Sequence, residues 1–233
     1  MKAPMPLHAT VRWKSRYPGA VVACMVVTQV TNPAQSAALE ERLCAIEQAL
    51  RTRYAGFDRA ALRGSAPYAA YDRYYRSFGQ TYHVQHQLES VALKGKSIPR
   101  RAALVEAGFA EELASGLLTA MHDADTIGDG ITVDIASGTE SVELYNGTAV
   151  QLDEGDMFMR DEVGVLTSVI RGPARYGLVT PETTRVAVCV YAPEGVGRDA
   201  VTGHLQAIAA TMRLTSPDAE IEMLEVIDAQ TPS

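Results

Sequence analysis

AMHDADTIGDGITVDIA, residues 120–136, is the stretch that decides how this chain folds. It places His122, Asp123 and Asp125 at the predicted exit of a helix, and glycines and then an alternating strand over residues 131–135 follow them. Functional side chains concentrate at such junctions between elements. We therefore expect the fold to change from helix to strand here, and candidate chemistry to lie at the change.

Strands dominate the chain after this stretch and helices dominate before it. A buried strand is predicted over Ala20–Val30, an edge strand over Glu220–Ile227, and a hairpin turn at Asn146–Gly147, since Asn-Gly is a preferred two-residue connection. Helices are predicted over residues 34–54, 81–93, 101–121 and 200–214, and further strands over 130–136, 141–152, 156–170 and 185–193. This order predicts a mixed α+β fold.

Composition sets the class of protein. The chain has 233 residues, enough to bury a sizeable core, and a formal net charge of −7. This charge disfavours tight binding of nucleic acid, RNA as well as DNA, because sequence-independent binding depends on Lys and Arg, and it fits a small ligand better than a duplex. Three widely spaced cysteines and no CxxC pair indicate a reducing compartment. No apolar run is long enough to span a membrane and the first residues lack a signal-peptide pattern, so we expect a cytoplasmic location.

Four motifs occur in a suggestive order: YPGAVVACMVVTQVTN (17–32), YDRYYRSFG (71–79), VALKGKSIP (91–99) and DADTIGDGITV (123–133). Together they resemble the editing module of the phenylalanyl-tRNA synthetase beta subunit, its third and fourth (B-three/B-four) domains, which also occur as free-standing proteins. The resemblance covers residues 17–193. It implies that family's fold, with mixed sheets packed with helices.

The resemblance also implies a domain organisation. We expect an N-terminal arm over residues 1–16, a single editing-module-like domain of two closely packed subdomains over residues 17–228, and a disordered tail over residues 229–233.

The function implied by the resemblance is hydrolysis of mischarged aminoacyl-tRNA in trans. If the protein is an enzyme, it is then an aminoacyl-tRNA deacylase, an ester hydrolase that needs no metal or cofactor, and no synthetase activity is expected of the module alone. The partner would be the tRNA acceptor end or an aminoacyl small molecule. Two alternatives stay open: a non-catalytic module that binds an amino acid or small metabolite, and a structural or partner-binding domain. The oligomeric state is open as well, a homodimer included.

His122 and Asp123 are the candidate catalytic residues. His122 stands immediately before the first aspartate of the matched segment, while Ala120 occupies the position of the family's pocket histidine. The alternative for His122 is a bond to a helix-terminal carbonyl. The alternative for Asp123 is satisfaction of backbone donors in a turn.

Six residues are candidates for substrate binding: His83, His86, Glu106, Asp125, Arg171 and Cys189. His83 and His86 lie one helical turn apart, a spacing that also suits a shared metal, although no third ligand follows from the sequence. Arg171 could clamp a carboxylate or phosphate, or lie in an exposed loop. Cys189 stands where the family has the glutamate that contacts the tyrosine hydroxyl, so recognition of tyrosine is not expected to carry over.

The basic turn KGKSIPRR, residues 94–101, is the candidate RNA-binding surface. Clustered basic side chains can contact phosphates, and the alternative is a solvated loop. The residues concerned are Lys94, Lys96, Arg100 and Arg101.

Overall fold

Two long, buried strands, β2 (Val21–Thr28) and β10 (Arg185–Ala192), form the centre of the fold. The computed structural model describes residues 5–231, and there these strands pair antiparallel over their whole length, from Arg185 opposite Thr28 to Ala192 opposite Val21. Continuous runs of β-branched and other apolar residues suit strands buried on both faces. The buried strand predicted over Ala20–Val30 is confirmed.

In the described residues, two further strands complete this four-stranded sheet, and seven more form a five-stranded sheet and a two-stranded sheet. The order of the central sheet is β11-β2-β10-β3, all antiparallel, and that of the second is β1-β4-β7-β8-β9, in which β1 runs parallel to β4. The remaining bounds are β1 Leu7–Ala9, β3 Thr119–Asp123, β4 Ile131–Ile135, β5 Ser141–Glu143, β6 Ala149–Gln151, β7 Met157–Arg160, β8 Val165–Ser168, β9 Gly172–Pro173 and β11 Glu220–Asp228.

Seven α-helices and one π-helical segment accompany the sheets in the described residues. They are α1 Val11–Arg16, α2 Ala37–Arg53, α3 Arg59–Gly64, α4 Tyr68–Ser77, α5 His83–Leu88 with its π-helical continuation Glu89–Leu93, α6 Ala103–Ser115 and α7 Arg198–Met212. Helix α6 contacts α2, α7 and β3, and α7 also contacts β2, β10 and β11. The expected α+β fold, with mixed sheets packed with helices, is confirmed.

Several local predictions are also confirmed. Leu39, Leu43, Ile46 and Leu50 form the buried face of α2, as their helical spacing predicts. Asn146–Gly147 lies in the turn between β5 and β6, where Leu144 N–H donates to Thr148 O at 2.9 Å. The predicted edge strand is β11, which lies at the edge of the central sheet.

The helix predicted over residues 101–121 is wrong in its last six residues, 116–121. Helix α6 ends at Ser115, because Gly116 takes a left-handed conformation (φ 75°) and its N–H donates to Glu112 O at 2.7 Å. This is the usual way in which a glycine stops a helix. The chain then turns into β3, which pairs with β10. His122 and Asp123 consequently lie on a strand and not at a helix exit.

The two ends of the chain contribute to the sheets. Strand β1 joins β4, and Leu7 N–H donates to Glu225 Oε2 on β11 at 2.8 Å. At the other end, Thr231 bonds back to Asp228. The predicted arm and tail each extend outside the described residues, at 1–4 and 232–233, and their boundaries stay predictions.

Candidate ligand-binding cavity

A cavity of about 300 Å³ lies at the edge of the central sheet, between β3, α6 and the end of β8. The wall is mainly apolar, because α6 turns Val105 and Phe109 toward it and β3 contributes Ala120 and Met121. Helix and strand approach closely here: a methyl group at Gly108 would overlap the end of the Met121 side chain. The sequence thus builds a pocket beside an edge strand.

Glu112 is the buried acid of this wall. It projects from α6 with only 6% of its surface exposed, and its Oε2 accepts a hydrogen bond from Thr119 N–H at 2.8 Å. No ion pair joins it to a basic residue among those described. Burial raises the pKa of this carboxyl to about 8, although the Thr119 bond lowers it, so the neutral form predominates at neutral pH in the ligand-free fold.

Two threonines in the wall are each bonded to a buried histidine. Thr119 Oγ1 lies 2.7 Å from His204 Nε2, and Thr167 Oγ1 lies 2.8 Å from His122 Nε2. Burial lowers the pKa of both imidazoles to about 4, so both are neutral at physiological pH. Such weak bases suit a role in orienting the hydroxyls better than one in removing protons.

Tyr191 and Ser168 add hydroxyls to the wall. The buried hydroxyl of Tyr191 lies near Thr167 and has no well-formed hydrogen bond to any described residue. Ser168 instead donates to Asp156, a buried acid that also accepts from the Tyr74 hydroxyl at 2.6 Å. Tyr191 therefore has a donor to offer to a bound molecule, while Ser168 is engaged within the fold.

The two candidate catalytic residues lie behind this wall. His122 is fully buried and reaches the cavity only through Thr167, and its Nδ1 lies near Gly177 without a well-formed hydrogen bond. Asp123 is also buried: its Oδ1 accepts from Asp125 N–H at 3.0 Å and its Oδ2 from the Thr183 hydroxyl at 2.6 Å. Both oxygens of Asp123 thus hold neighbouring segments together.

The predicted substrate-binding residues before β3 are dispersed. His83 lines the cavity, 3.4 Å from the Tyr75 hydroxyl, and burial lowers its pKa. His86, one turn later, is half exposed and bonds to Arg59. Glu106 is buried outside the cavity, where it accepts from the backbone N–H of Arg101.

The predicted substrate-binding residues from β3 onward lie outside the cavity wall. Asp125 is exposed, 3.8 Å from Arg185. Arg171 pairs with Asp153 at 2.8 Å. Cys189 is buried beside Cys24, with 3.9 Å between the sulfurs. None of these three side chains lines the cavity, and their role in substrate binding stays a prediction.

The four basic residues of the predicted RNA-binding loop differ in their surroundings. Arg100 is held by Glu40 at 2.7 Å and by Glu47 at 2.8 Å, so its charge is already neutralised by carboxylates. Lys94, Lys96 and Arg101 are exposed, and Arg101 lies one helical turn before Val105 in the cavity wall. Any contact with phosphates would come from these three.

Among residues 5–231, no group of three or more His, Cys, Asp or Glu side chains is placed to hold a metal ion. In the same part of the chain, no helix combines the length and the apolar character that crossing a bilayer requires.

Sequence reasoning missed Glu112, Thr119, His204 and Tyr191. A signal was present for Glu112, because a helix with apolar residues on almost every side, ALVEAGFAEELAS, is buried all round and must bury its acids too. For the others no signal was available: Thr119 lies on β3, where a helix was predicted, while His204 on α7 and Tyr191 on β10 are far away in sequence.

Comparison with known proteins gives a distant likeness of fold. No family model matches the chain, and no curated protein matches it. Among solved structures, a crystal structure of an N-terminal fragment of the phenylalanyl-tRNA synthetase beta subunit from Pyrococcus horikoshii is similar, with a TM-score of 0.49 and 12% sequence identity. The match covers 100% of this chain and 55% of that one, so the chain spans about half the length of this neighbour. At this level the likeness concerns the fold alone.

Proposed function

We propose that the protein binds a small, largely apolar molecule of about amino-acid size in the cavity between β3 and α6. The observation that carries the proposal is the cavity itself, about 300 Å³ with an apolar wall and a few polar groups. Binding sites for small molecules have this composition, and their volumes begin at about this size. Protein interiors are otherwise close-packed, with few voids larger than a water molecule.

The polar groups of the wall are suited to binding. Tyr191 offers a hydroxyl donor and Glu112 a carboxyl, and each is buried with unused bonding capacity. A buried polar group without a full set of partners destabilises the fold by about 1–3 kcal/mol, a cost that a ligand can offset. The wall therefore favours a molecule with an apolar body and one or two polar groups.

The test measures how much ligands raise the melting temperature of the wild type, whose cavity is open, and of a variant whose cavity is filled. We expect the melting temperature to rise with at least one class in a panel of aliphatic and aromatic alcohols, amines, acids and amino acids, because ligands that bind only the folded state stabilise it. Ala120→Leu, which fills the cavity from β3, is expected to abolish the rise. Ala61→Leu, on an exposed helix, should leave it unchanged. If no compound stabilises the wild type, or if Ala120→Leu responds as well, the proposal is wrong.

A second candidate function is deacylation of mischarged tRNA in trans. The observation that favours it is the position of Lys94, Lys96 and Arg101, exposed on the loop that leads directly into α6. A tRNA end bound there would have its phosphates beside the basic loop and its aminoacyl group near the cavity. The net charge of −7 weighs against tight binding of a whole tRNA.

Deacylation of a panel of correctly and incorrectly charged tRNAs tests this candidate. We expect one mischarged species to turn over, and the double variant Lys94→Glu, Arg101→Glu to lose at least about ten-fold in kcat/KM, mostly through KM, as phosphate contacts are lost. Arg12→Glu, an exposed charge reversal on α1, is the matched control. Absence of turnover in folded protein would exclude this function for the species tested, and equal loss in both variants would exclude the basic loop as the tRNA contact.

A further inference from the structure

Glu112 differs from Glu111 and Glu47, the ion-paired acids buried on α6 and α2. Glu106 of α6 also lacks an ion pair, but it lies outside the cavity. Glu111, the preceding residue, pairs with Arg42 at 2.8 Å and accepts from the Thr211 hydroxyl at 2.6 Å. Glu47 pairs with Arg100 and Arg51. These acids are charged groups compensated within the fold, as buried charges normally are.

The Glu112 side chain has one hydrogen bond, from Thr119 N–H, and no basic partner among the described residues. If its task were only to accept that bond, an amide would perform it without the cost of burying a carboxyl. The uncompensated group instead lines the cavity. A buried carboxyl without a charge partner stays neutral, and an ammonium group that enters the cavity would favour its charged form through a charge-assisted hydrogen bond.

The charges of the wall point to the same class of molecule. No lysine or arginine lines the cavity among the described residues. His83 lines it with an exposed edge, and partial desolvation lowers the pKa of that imidazole, while Arg171 beside the wall is already paired with Asp153. An anionic group entering the cavity would therefore meet Glu112 and no compensating cation.

We propose that the cavity selects a protonated amine on an apolar body without a free carboxylate, and that Glu112 is the residue that binds the ammonium group. This inference rests on the proposed function, since it requires that the cavity binds a small molecule. It names the chemical class: primary amines, and amino compounds whose carboxyl group is masked. Free amino acids and carboxylic acids are selected against.

Isothermal titration calorimetry at neutral pH with three matched compounds tests the inference. Phenethylamine carries the cation, phenethyl alcohol replaces it by a neutral hydroxyl, and phenylalanine adds a carboxylate to the amine. We expect phenethylamine to bind at least about ten-fold more tightly than either of the others, about 1.4 kcal/mol, as expected of a charge-assisted hydrogen bond.

Glu112→Gln supplies the decisive comparison. Glutamine can still accept from Thr119 N–H, so the fold is expected to persist, and binding of phenethyl alcohol by this variant checks the cavity independently. We expect the variant to bind phenethylamine and phenethyl alcohol equally. If wild-type protein already binds the two equally, or if the preference survives in Glu112→Gln, the amine inference is wrong and the cavity proposal stands. If none of the three compounds binds wild-type protein, the amine inference fails for this chemistry; the proposed function itself fails only if the full panel is also negative.

Discussion

Asp123 shows how a residue can resemble a catalytic group and yet be fully used by the fold. Its two carboxylate oxygens bind Asp125 N–H and the Thr183 hydroxyl, and its own N–H donates to Gly177 O at 2.9 Å. These bonds tie the end of β3 to the turn that follows it and to the segment that precedes β10. The short Asp-x-Asp turn therefore connects neighbouring segments through hydrogen bonds, which is consistent with the alternative that Asp123 accepts from backbone donors in a turn.

We predict that Asp123→Ala lowers the free energy of unfolding by about 1–3 kcal/mol, because it leaves the Asp125 N–H and the buried Thr183 hydroxyl without their acceptor. Ligand binding by the folded variant should be unchanged. Asp125→Ala is the matched control, since it removes an exposed acid whose ion pair to Arg185 spans 3.8 Å, worth at most about 1 kcal/mol. Urea unfolding measures both. Full stability of Asp123→Ala together with loss of deacylation would instead support the catalytic role.

At the scale of elements, α4 joins the two larger sheets through its tyrosines. Tyr71 donates to Tyr191 O at 2.5 Å and accepts from Leu118 N–H at 3.0 Å, next to the central sheet. Tyr74 accepts from Met157 N–H at 2.7 Å and donates to Asp156, next to the second sheet. Helix α4 therefore links the two sheets and sets the position of the cavity wall relative to both.

We predict that Tyr74→Phe destabilises the protein by about 1–3 kcal/mol. The ring and its packing remain, but Met157 N–H and Asp156 Oδ1 lose a buried partner. Tyr145→Phe removes a hydroxyl from an exposed tyrosine and should stay within about 0.5 kcal/mol of the wild type. Denaturant unfolding distinguishes the two. Equal effects of the two substitutions would mean that the hydrogen bonds of the Tyr74 hydroxyl do not stabilise the fold.

The elements also show how far the sequence was informative. Periodicity and turn residues predicted β2, α2, the Asn146–Gly147 turn and the β-rich second half, because local pattern and burial agree there. The end of α6 was mispredicted, although Gly116 gave the signal, since the apolar residues after it continue a helical pattern equally well. The cavity could not be predicted, because its wall combines α6, β3, β8 and β10, which only the tertiary fold brings together.

At the scale of the whole molecule, buried titratable groups make stability depend on pH in two opposite ways. His122 and His204 have folded pKa values of about 4, below the ordinary value of 6.5, so the unfolded chain binds more protons and stability falls as the pH drops from 6.5 toward 4. Glu112 has a folded pKa of about 8, above its ordinary value of 4.5. For Glu112 the folded chain binds more protons, so stability falls as the pH rises from 4.5 to 8.

Glu112→Gln isolates the contribution of Glu112 to the pH dependence of stability, because the variant keeps both histidines and the neighbouring tyrosines stay protonated throughout this pH range. We predict that the variant gains stability over the wild type as the pH rises, with a difference that grows between pH 4.5 and 8 and is constant above. The two pKa values limit the gain to about 5 kcal/mol. Thermal unfolding of both proteins across this range measures it. A difference that does not change with pH would mean that Glu112 is already ionised in the ligand-free fold, with a charge partner elsewhere, and the case for an ammonium ligand would lose its physical basis.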